Sequence, residues 1–262
     1  MYETTLPDET TLTSAWSAIR RAYMQMAAKG NGRFATFKND KVYHNGNPVA
    51  GHQTILERRP MVSKPQIALT FDDGPSNVTH RVLGALEKAG AKATFFVVGG
   101  RIARYEHELK RMAAGGFQIG NHTWDHDFIS KISESELRRT IERTNEAIYK
   151  ACGVTPTVMR PPSSFYNDTA LAVLAEMGLP AVFWNVDPRD WETKDAQSTI
   201  DHVLNRAEDG RIIIMHDVYE QTADAVEIIV PQLISRGFDL ITVDELACSR
   251  GGMRPGEIYF GF

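Results

Sequence analysis

The feature that most constrains the fold is the regular alternation, from Pro65 onward, of short apolar runs with stretches of helical periodicity. The runs are continuously apolar, which is typical of strands covered on both faces. They read "QIALTF", "ATFFVVG", "FQIGNH", "TVMRPP", "AVFWNVD", "RIIIMHD" and "DLITV". The helical stretches lie between them, at residues 77–89, 101–115, 133–151, 167–177, 195–208 and 222–236. This alternation predicts an α/β fold with a parallel sheet, either open or closed into a barrel.

Five of the predicted strands end in polar or ionisable residues. In chain order these are Asp72 with Asp73, His122, Arg160, Asp187 and His216. The carboxyl ends of parallel strands meet at one face of the fold, where such proteins build their sites. We therefore expect these side chains to converge on one functional site.

The segment "NHTWDHD" places His122 and His126 four residues apart. This spacing lets two imidazoles reach one ion from a single turn of backbone. Taken alone the pattern is weak, because two exposed or internally hydrogen-bonded histidines would show it too. With an Asp from another strand end, two His and one carboxylate suit a catalytic Zn²⁺ or a similar divalent ion with a position open for water.

Asp72 and Asp73 are adjacent carboxylates at the end of "LTFDDGP". Successive side chains of a strand point to opposite faces, so the two should have different tasks. One can ligate the metal, which offsets the repulsion between them, and the other can act on water as a general base. The alternative is an Asp-Gly-Pro turn with one solvated Asp.

The last two strand ends are followed by "DPRDW" and "HDV". Asp187, Asp190 and Trp191 could equally be a loop held by a capping Asp, with the Trp buried for packing. His216 follows an apolar run, so it is either a core histidine bonded to backbone or a catalytic acid. The second role would require a carboxylate that keeps the imidazole protonated.

Five segments occur in the order "TFDDG", "HTWDH", "RPP", "DPRDW" and "IIIMHD". In this order they resemble the five motifs of the polysaccharide deacetylases, the NodB-homology carbohydrate esterases of family 4. The resemblance covers about residues 64–248. It implies a distorted (β/α) barrel of seven or eight strands that removes acetyl groups from carbohydrate. It also implies a divalent metal, Zn²⁺ before Co²⁺, Ni²⁺ or Mn²⁺.

The resemblance also implies roles for individual residues. Asp72 matches the general base, His216 the general acid, and Asp73, His122 and His126 match the metal ligands. The remaining matches are Arg160, which orients the base; Asp187, which pairs with the catalytic His; and Trp191 and Ile214, which line the acetyl methyl. Asp190 is expected at the substrate site without a defined role.

The third motif departs from the family, which usually continues "RPP" with Tyr-Gly. This chain has Ser163 and Ser164 there. The Tyr position contributes mainly a backbone N–H for the oxyanion, which Ser163 can still provide. A Gly position can have positive φ, which Ser tolerates poorly. We therefore expect altered sugar contacts rather than lost chemistry, with Tyr166 partly refilling the space.

The first 62 residues read as a small N-terminal extension, followed by a catalytic domain at 63–262. "TSAWSAIRRAYMQMAAK" has helical spacing, and "FATFKNDKVYHNGNPV" predicts a short hairpin with Asn45-Gly46 as its turn signal. The role of this extension is not indicated by its sequence.

Charge and hydropathy exclude two classes of partner. A net charge of −4 and a pI near 6.1 leave no basic face for nucleic acid. No stretch reaches the roughly 18 apolar residues of a membrane span.

The start, "MYETTLPDETTLTSAW", shows no signal peptide, so we expect either a cytoplasmic protein or a mature or trimmed form. The family resemblance implies a secreted or cell-envelope location.

The function expected from these residues is removal of N-acetyl groups from poly- or oligosaccharides that contain N-acetylglucosamine, of peptidoglycan or chitin type. O-acetyl removal from acetylated xylan is the nearest alternative. A glycosidase using Asp72 with Asp187 or Asp190 would leave the three histidines without a role. A non-catalytic carbohydrate-binding relative is the remaining alternative, prompted by Ser163 and Ser164.

Overall fold

The computed structural model describes residues 35–38, 41–44, 47–48 and 64–262, and the chain divides into two units, Met1–Ser63 and Lys64–Phe262. In the first unit, three antiparallel strands confirm the predicted hairpin and add a strand to it. They are β1 (Ala35–Lys38), β2 (Lys41–His44) and β3 (Asn47–Pro48). His44 lies opposite Asn47 in the register of β2 and β3. The helix predicted from "TSAWSAIRRAYMQMAAK" lies outside the described residues.

The second unit contains seven described strands. They are β4 (Gln66–Asp72), β5 (Thr94–Val97), β6 (Gln118–Asn121), β7 (Ala181–Val182), β8 (Ile212–His216), β9 (Asp239–Leu240) and β10 (Ile258–Tyr259). The short β10 pairs with β7 and was not predicted, because two residues carry no recognisable periodicity.

Helices follow the strands as the sequence predicts. The α-helices are α1 (Thr79–Lys88), α2 (Glu106–Gly115), α3 (Glu134–Cys152), α4 (Asp168–Glu176), α5 (Asp190–Thr193), α6 (Ala196–Arg206), α7 (Glu220–Ser235) and α8 (Val243–Cys248). Two 3₁₀ segments complete the set, Gly99–Arg104 and Pro162–Ser164. The long α3 begins at a capping box formed by Ser133 and Glu136 and ends at Gly153, whose φ is 74°.

The sheet is parallel, with the order β6-β5-β4-β8, and β9 pairs with the start of β4. In this register Asp72 lies opposite Phe96 of β5 and opposite His216 of β8. The strands therefore end at the same level, and the residues at and just beyond their ends share one face. This confirms the predicted α/β fold with a parallel sheet.

The strand predicted at "TVMRPP" is wrong. Met159 makes only single β-bridges, to Asn121 and to Ala181, and the Pro161-Pro162 pair that follows has no N–H to extend a ladder. Val186 bridges in the same way to Ile213 of β8. Among the described residues these bridges connect the two ends of the sheet, which is consistent with a distorted barrel, although the ladders themselves do not close into one.

The apolar runs form the core, as predicted for strands covered on both faces. Phe71 of β4 stacks on Phe95 of β5 with ring centroids 5.1 Å apart, and Phe117 meets Phe95 edge-on. Val226 and Ile229 of α7 are fully buried against the same cluster. In the described part of the chain, no helix combines the length and apolar character needed to cross a bilayer.

Candidate active site

Asp72, the last residue of β4, is held by a buried arginine. Its Oδ1 accepts a 2.7 Å hydrogen bond from Nη1 of Arg160, and the side chains are only 4% and 0% exposed. The other donors of Arg160 are also used, by Thr70 Oγ1 and by the carbonyl oxygens of Val182 and Phe183. The guanidinium is thus fixed on all sides, and Asp72 can take only one orientation toward the site.

Asp73, the next residue, lies beside two histidines. Its Oδ1 lies 3.4 Å from Nε2 of His122 and 3.3 Å from Nε2 of His126. One ligand atom from each of the three residues lies within 4.8 Å of the others. His122 Nε2 also lies 3.9 Å from Oδ2 of Asp72, so the two aspartates share this neighbour, while Arg160 contacts Asp72 and His126 contacts Asp73.

The donor set of this triad fits a divalent metal. Oδ1 of Asp73 is buried and has no hydrogen-bond partner, so this carboxylate oxygen is available to ligate a metal. His122 Nδ1 makes a 2.8 Å hydrogen bond with the carbonyl oxygen of Arg160. A ring that donates from Nδ1 has its Nε2 lone pair free toward Asp73, which is the usual second bond of a metal-ligating histidine. Two imidazoles and one carboxylate suit a catalytic zinc-type site.

The charges in the triad also favour metal binding. Burial acts to raise the pKa of Asp73, but the close contact with His122 and the field of the neighbouring imidazoles, His216 among them, outweigh it and hold the pKa well below its ordinary value. Burial and the neighbouring His122 lower the pKa of His126. The carboxylate therefore stays ionised and the His126 imidazole neutral, the forms that ligate a metal.

The loop that carries the two histidines is fixed by residues that the sequence analysis did not identify. Asn121 is fully buried, and its side chain accepts from the N–H of Thr123 while donating to the Ile141 carbonyl. Thr140 of α3 donates to Asp127 and accepts from the backbone N–H of Trp124. Apart from Thr123, these partners lie 13 to 20 residues away in sequence, and no local pattern could have indicated them.

His216 pairs with Asp190, so the assignment of Asp187 as its partner is wrong. Asp190 Oδ1 lies 2.8 Å from His216 Nδ1, and Oδ2 accepts from the His216 backbone N–H and from Thr222 Oγ1. Asp187 instead accepts from the backbone N–H of Arg189. Arg189 has a left-handed backbone, with a φ of 55°, and the chain turns there. Asp190, the first residue of α5, therefore faces β8.

The pair formed by Asp190 and His216 keeps the imidazole protonated. Burial acts to lower the pKa of His216, but the Asp190 hydrogen bond and charge, followed by the charges of Asp72 and Asp73, raise it to about 9. A protonated imidazole with one free ring nitrogen is a proton donor at neutral pH. The carboxylate required for a catalytic acid is therefore present, although three residues further along the chain than expected.

Ser163 and Ser164, where the third motif departs from its family, both have left-handed backbone, with φ of 52° and 61°. Tyr166 packs edge-on against Phe183, with centroids 5.3 Å apart. Phe165, which the sequence analysis did not select, is the aromatic residue of this segment that faces the histidine loop, 5.5 Å from Phe128. The sequence could have indicated Phe165 by its position directly after the altered third motif.

Two predicted substrate contacts lie on either side of the acid pair. Trp191 follows Asp190 in α5 and is 45% exposed, so its ring is open to a ligand rather than buried for packing. Ile214 lies two residues before His216 in β8 and is buried. Their contact with an acetyl methyl remains a prediction.

A further carboxyl, that of Asp217, is buried against Gly74, the residue that follows Asp73. It accepts from Thr79 Oγ1, while its other oxygen has no partner. Burial raises the pKa of Asp217 to about 7. A Cβ at Gly74 would lie 2.3 Å from this carboxyl, so only glycine lets the loop pass so close.

Comparison with known proteins agrees with this geometry. A family model described as polysaccharide deacetylase matches residues 60–182. The chitooligosaccharide deacetylase of a Bradyrhizobium species is 34% identical over 196 residues, which cover 69% of this chain and 90% of that protein. The chain therefore belongs to the polysaccharide deacetylase family, as its five motifs predicted.

Other similar proteins are named for different substrates. The peptidoglycan-N-acetylmuramic acid deacetylase PdaC of Bacillus subtilis is 40% identical over 181 residues, or 69% of this chain, and the match spans only 38% of PdaC. A family 4 acetyl xylan esterase from Clostridium thermocellum, solved in complex with a cobalt ion, superposes with a TM-score of 0.70 at 36% identity. That superposition covers 75% of this chain and 98% of the esterase.

Proposed function

We propose that this chain is a metal-dependent hydrolase that removes N-acetyl groups from glycans containing N-acetylglucosamine and releases acetate. One observation carries the proposal: a possible metal triad, a fixed carboxylate and a protonated imidazole meet at one face. The triad is Asp73, His122 and His126, and Asp72 and His216 lie opposite each other in the register of β4 and β8. The names of the relatives support the substrate class.

The residues divide the reaction between them. A bound divalent ion would lower the pKa of a water and polarise the acetyl carbonyl. Asp72, fixed by Arg160, takes the proton of the attacking water. The backbone N–H of Ser163 donates to the oxyanion that develops on the substrate; losing one such donor typically costs about 10²–10³ in rate. His216 then gives its proton to the departing nitrogen.

The acid pair supports an amide rather than an ester substrate. A departing amine must be protonated before it leaves, and the pKa of His216, raised to about 9 chiefly by the Asp190 contact against the effect of burial, matches that task. Acetylated xylan, an ester, releases an alcohol and depends less on such an acid. The xylan esterase among the similar structures makes it the comparison substrate of choice.

The test is acetate release from chitooligosaccharides, peptidoglycan and acetylated xylan, each with chelator and then with Zn²⁺ restored. We expect chelator-sensitive release from one or both N-acetylated substrates, and loss of it in the Asp72→Asn variant. Release from xylan alone would replace the proposal by an O-acetyl esterase. New reducing ends that are insensitive to chelator would indicate a glycosidase, and binding without any release a carbohydrate-binding protein.

We place this activity at the cell envelope or outside the cell, because a peptidoglycan strand lies there. This location follows from the proposed substrate alone.

A further inference from the structure

An exposed aromatic pair lies beside the metal triad. The ring of Phe128 is 6.4 Å from that of the ligand His126, and Phe165 meets Phe128 edge-on at 5.5 Å between centroids. Phe128 is 37% and Phe165 50% exposed. The pair therefore begins at one metal ligand and extends outward along the surface, where a polymeric substrate would continue.

The two rings come from separate segments that are joined by hydrogen bonds. The Lys131 backbone N–H donates to the Phe128 carbonyl and closes a turn, and the Asn167 side chain donates to the carbonyl of Ser130 within that turn. Asn167 also caps α4. These bonds fix the segment of Phe165 against that of Phe128, so the surface is formed before any ligand arrives.

A cation completes this surface. Nζ of Lys131 lies 4.7 Å from the centroid of Phe128 and 5.5 Å from that of Phe165. Among the described residues, no carboxylate pairs with Lys131. Exposed aromatic rings that lie together are typical of a ligand-binding surface, and the ammonium of Lys131 adds a positive charge beside them.

The chemistry of a glycan strand matches this arrangement. A pyranose ring presents an apolar face of C–H groups that packs on an aromatic ring, with its hydroxyls at the rim. Peptidoglycan alternates N-acetylglucosamine with a sugar that bears a lactyl group, whose carboxylate is free on units that carry no stem peptide, whereas chitin is uncharged. Phe128 and Phe165 suit the ring of a neighbouring sugar, and Lys131 suits a carboxylate on it.

We propose that Phe128, Phe165 and Lys131 form a subsite for the sugar unit next to the one that is deacetylated, with preference for a unit that bears a carboxylate. This inference rests on the proposed function and deepens it, since it favours a peptidoglycan-type strand over chitin. Phe165 occurs where the third motif departs from its family, so the altered motif adds a sugar contact.

The first test removes the exposed ring. In Phe165→Ala, the ratio of kcat/KM on chitopentaose to that on N-acetylglucosamine should fall about two- to tenfold, mainly through KM, because one aromatic contact is lost. Phe165→Trp should restore the ratio. Tyr149→Ala is the control, since Tyr149 is 58% exposed on α3 and belongs to neither site. An unchanged ratio in Phe165→Ala would overturn the subsite.

The second test removes the cation. Lys131→Gln should raise KM about two- to fivefold on a peptide-free peptidoglycan strand and leave KM on chitopentaose unchanged, and added salt should abolish the difference. Equal effects on both substrates would refute the carboxylate preference. If the wild type hydrolyses nothing, the proposed function fails. In that case, the binding affinities of the two glycans for the wild type and for both variants, measured by calorimetry, still test the subsite.

Discussion

At the scale of single residues, the site depends on carboxylates whose partners fix their charge. Asp190 holds both the ring and the backbone N–H of His216, and Thr222 fixes the same carboxylate from α7. Asp72 has Arg160, and Asp73 has two histidines. The groups around each aspartate thereby give it a separate role, although all three residues have the same side chain.

Replacing Asp190 by Asn should move the alkaline limb of activity to lower pH. The pKa of His216 would fall from about 9 toward its ordinary 6.5, because the carboxylate that opposes the effect of burial is gone. His216 must be protonated to act, and a pKa of 6.5 would leave only about 3% of it protonated at pH 8, so activity at pH 8 should drop about thirtyfold and recover partly at lower pH. The kcat/KM profile against pH measures this.

The matched control is Asp187→Asn, because Asp187 contacts Arg189 rather than His216. An alkaline limb that stays in place in Asp190→Asn, or that moves equally in Asp187→Asn, would contradict the role of Asp190.

At the scale of elements, the loops that leave the strand ends contain strained backbone. Among the described residues, seven that are not glycine have positive φ: Asp73, Thr123, His126, Ser163, Ser164, Arg189 and Lys194. All but Lys194 lie in or directly beside the five motifs, and two belong to the triad of Asp73, His122 and His126. Conformations of this kind cost free energy and persist only where the surroundings enforce them. The helices and strands provide that enforcement.

Ser164→Gly should therefore stabilise the protein. The left-handed conformation costs an L-residue about 1–2 kcal/mol, and the extra freedom of glycine in the unfolded chain offsets about 0.5–1 kcal/mol. The free energy of unfolding should rise by a net amount on the order of 0.5–1 kcal/mol. Urea denaturation measures it. Ser198→Gly, an exposed helical position in α6, should do the opposite, and a loss of stability in Ser164→Gly would contradict the interpretation.

The elements and the triad followed from the sequence because their signals are local. Continuous apolar runs indicated most of the strands, and the His-x-x-x-His spacing with an Asp at another strand end indicated the three residues that could hold a metal. The partner of His216 did not follow, because a turn at Arg189 decides whether Asp187 or Asp190 faces β8. Asn121 and Thr140 were missed since their contacts depend on packing between a loop and α3.

At the scale of the whole molecule, the parallel register brings distant residues together. Asp72 and His216 are 144 positions apart in the sequence but lie opposite each other on adjacent strands. The triad combines the end of β4 with the loop after β6. Such a site exists only when the second unit is folded, so its ligands and its fold are thermodynamically linked.

Zinc should therefore stabilise the protein against heat. An ion that binds only the folded state at a hundredfold excess over its Kd contributes about 2.7 kcal/mol, which corresponds to a rise in Tm of roughly 5–10 °C for a domain of this size. Scanning calorimetry of chelated and Zn²⁺-loaded protein measures the rise. His126→Ala should lose most of it, whereas His107→Ala, in the exposed part of α2, should retain it. An equal rise in both variants would exclude the triad as the site.

The left-handed backbone at Asp73 and His126 has a consequence for how this chemistry can be lost. Glycine at either position would relieve strain and remove a ligand in one substitution. Where no metal is bound, mutational drift without selection for activity therefore has a downhill path away from this site, along which the protein becomes inert while the metal-free fold grows more robust. A descendant of this chain that has lost its chemistry should be a well-folded protein rather than a failing one.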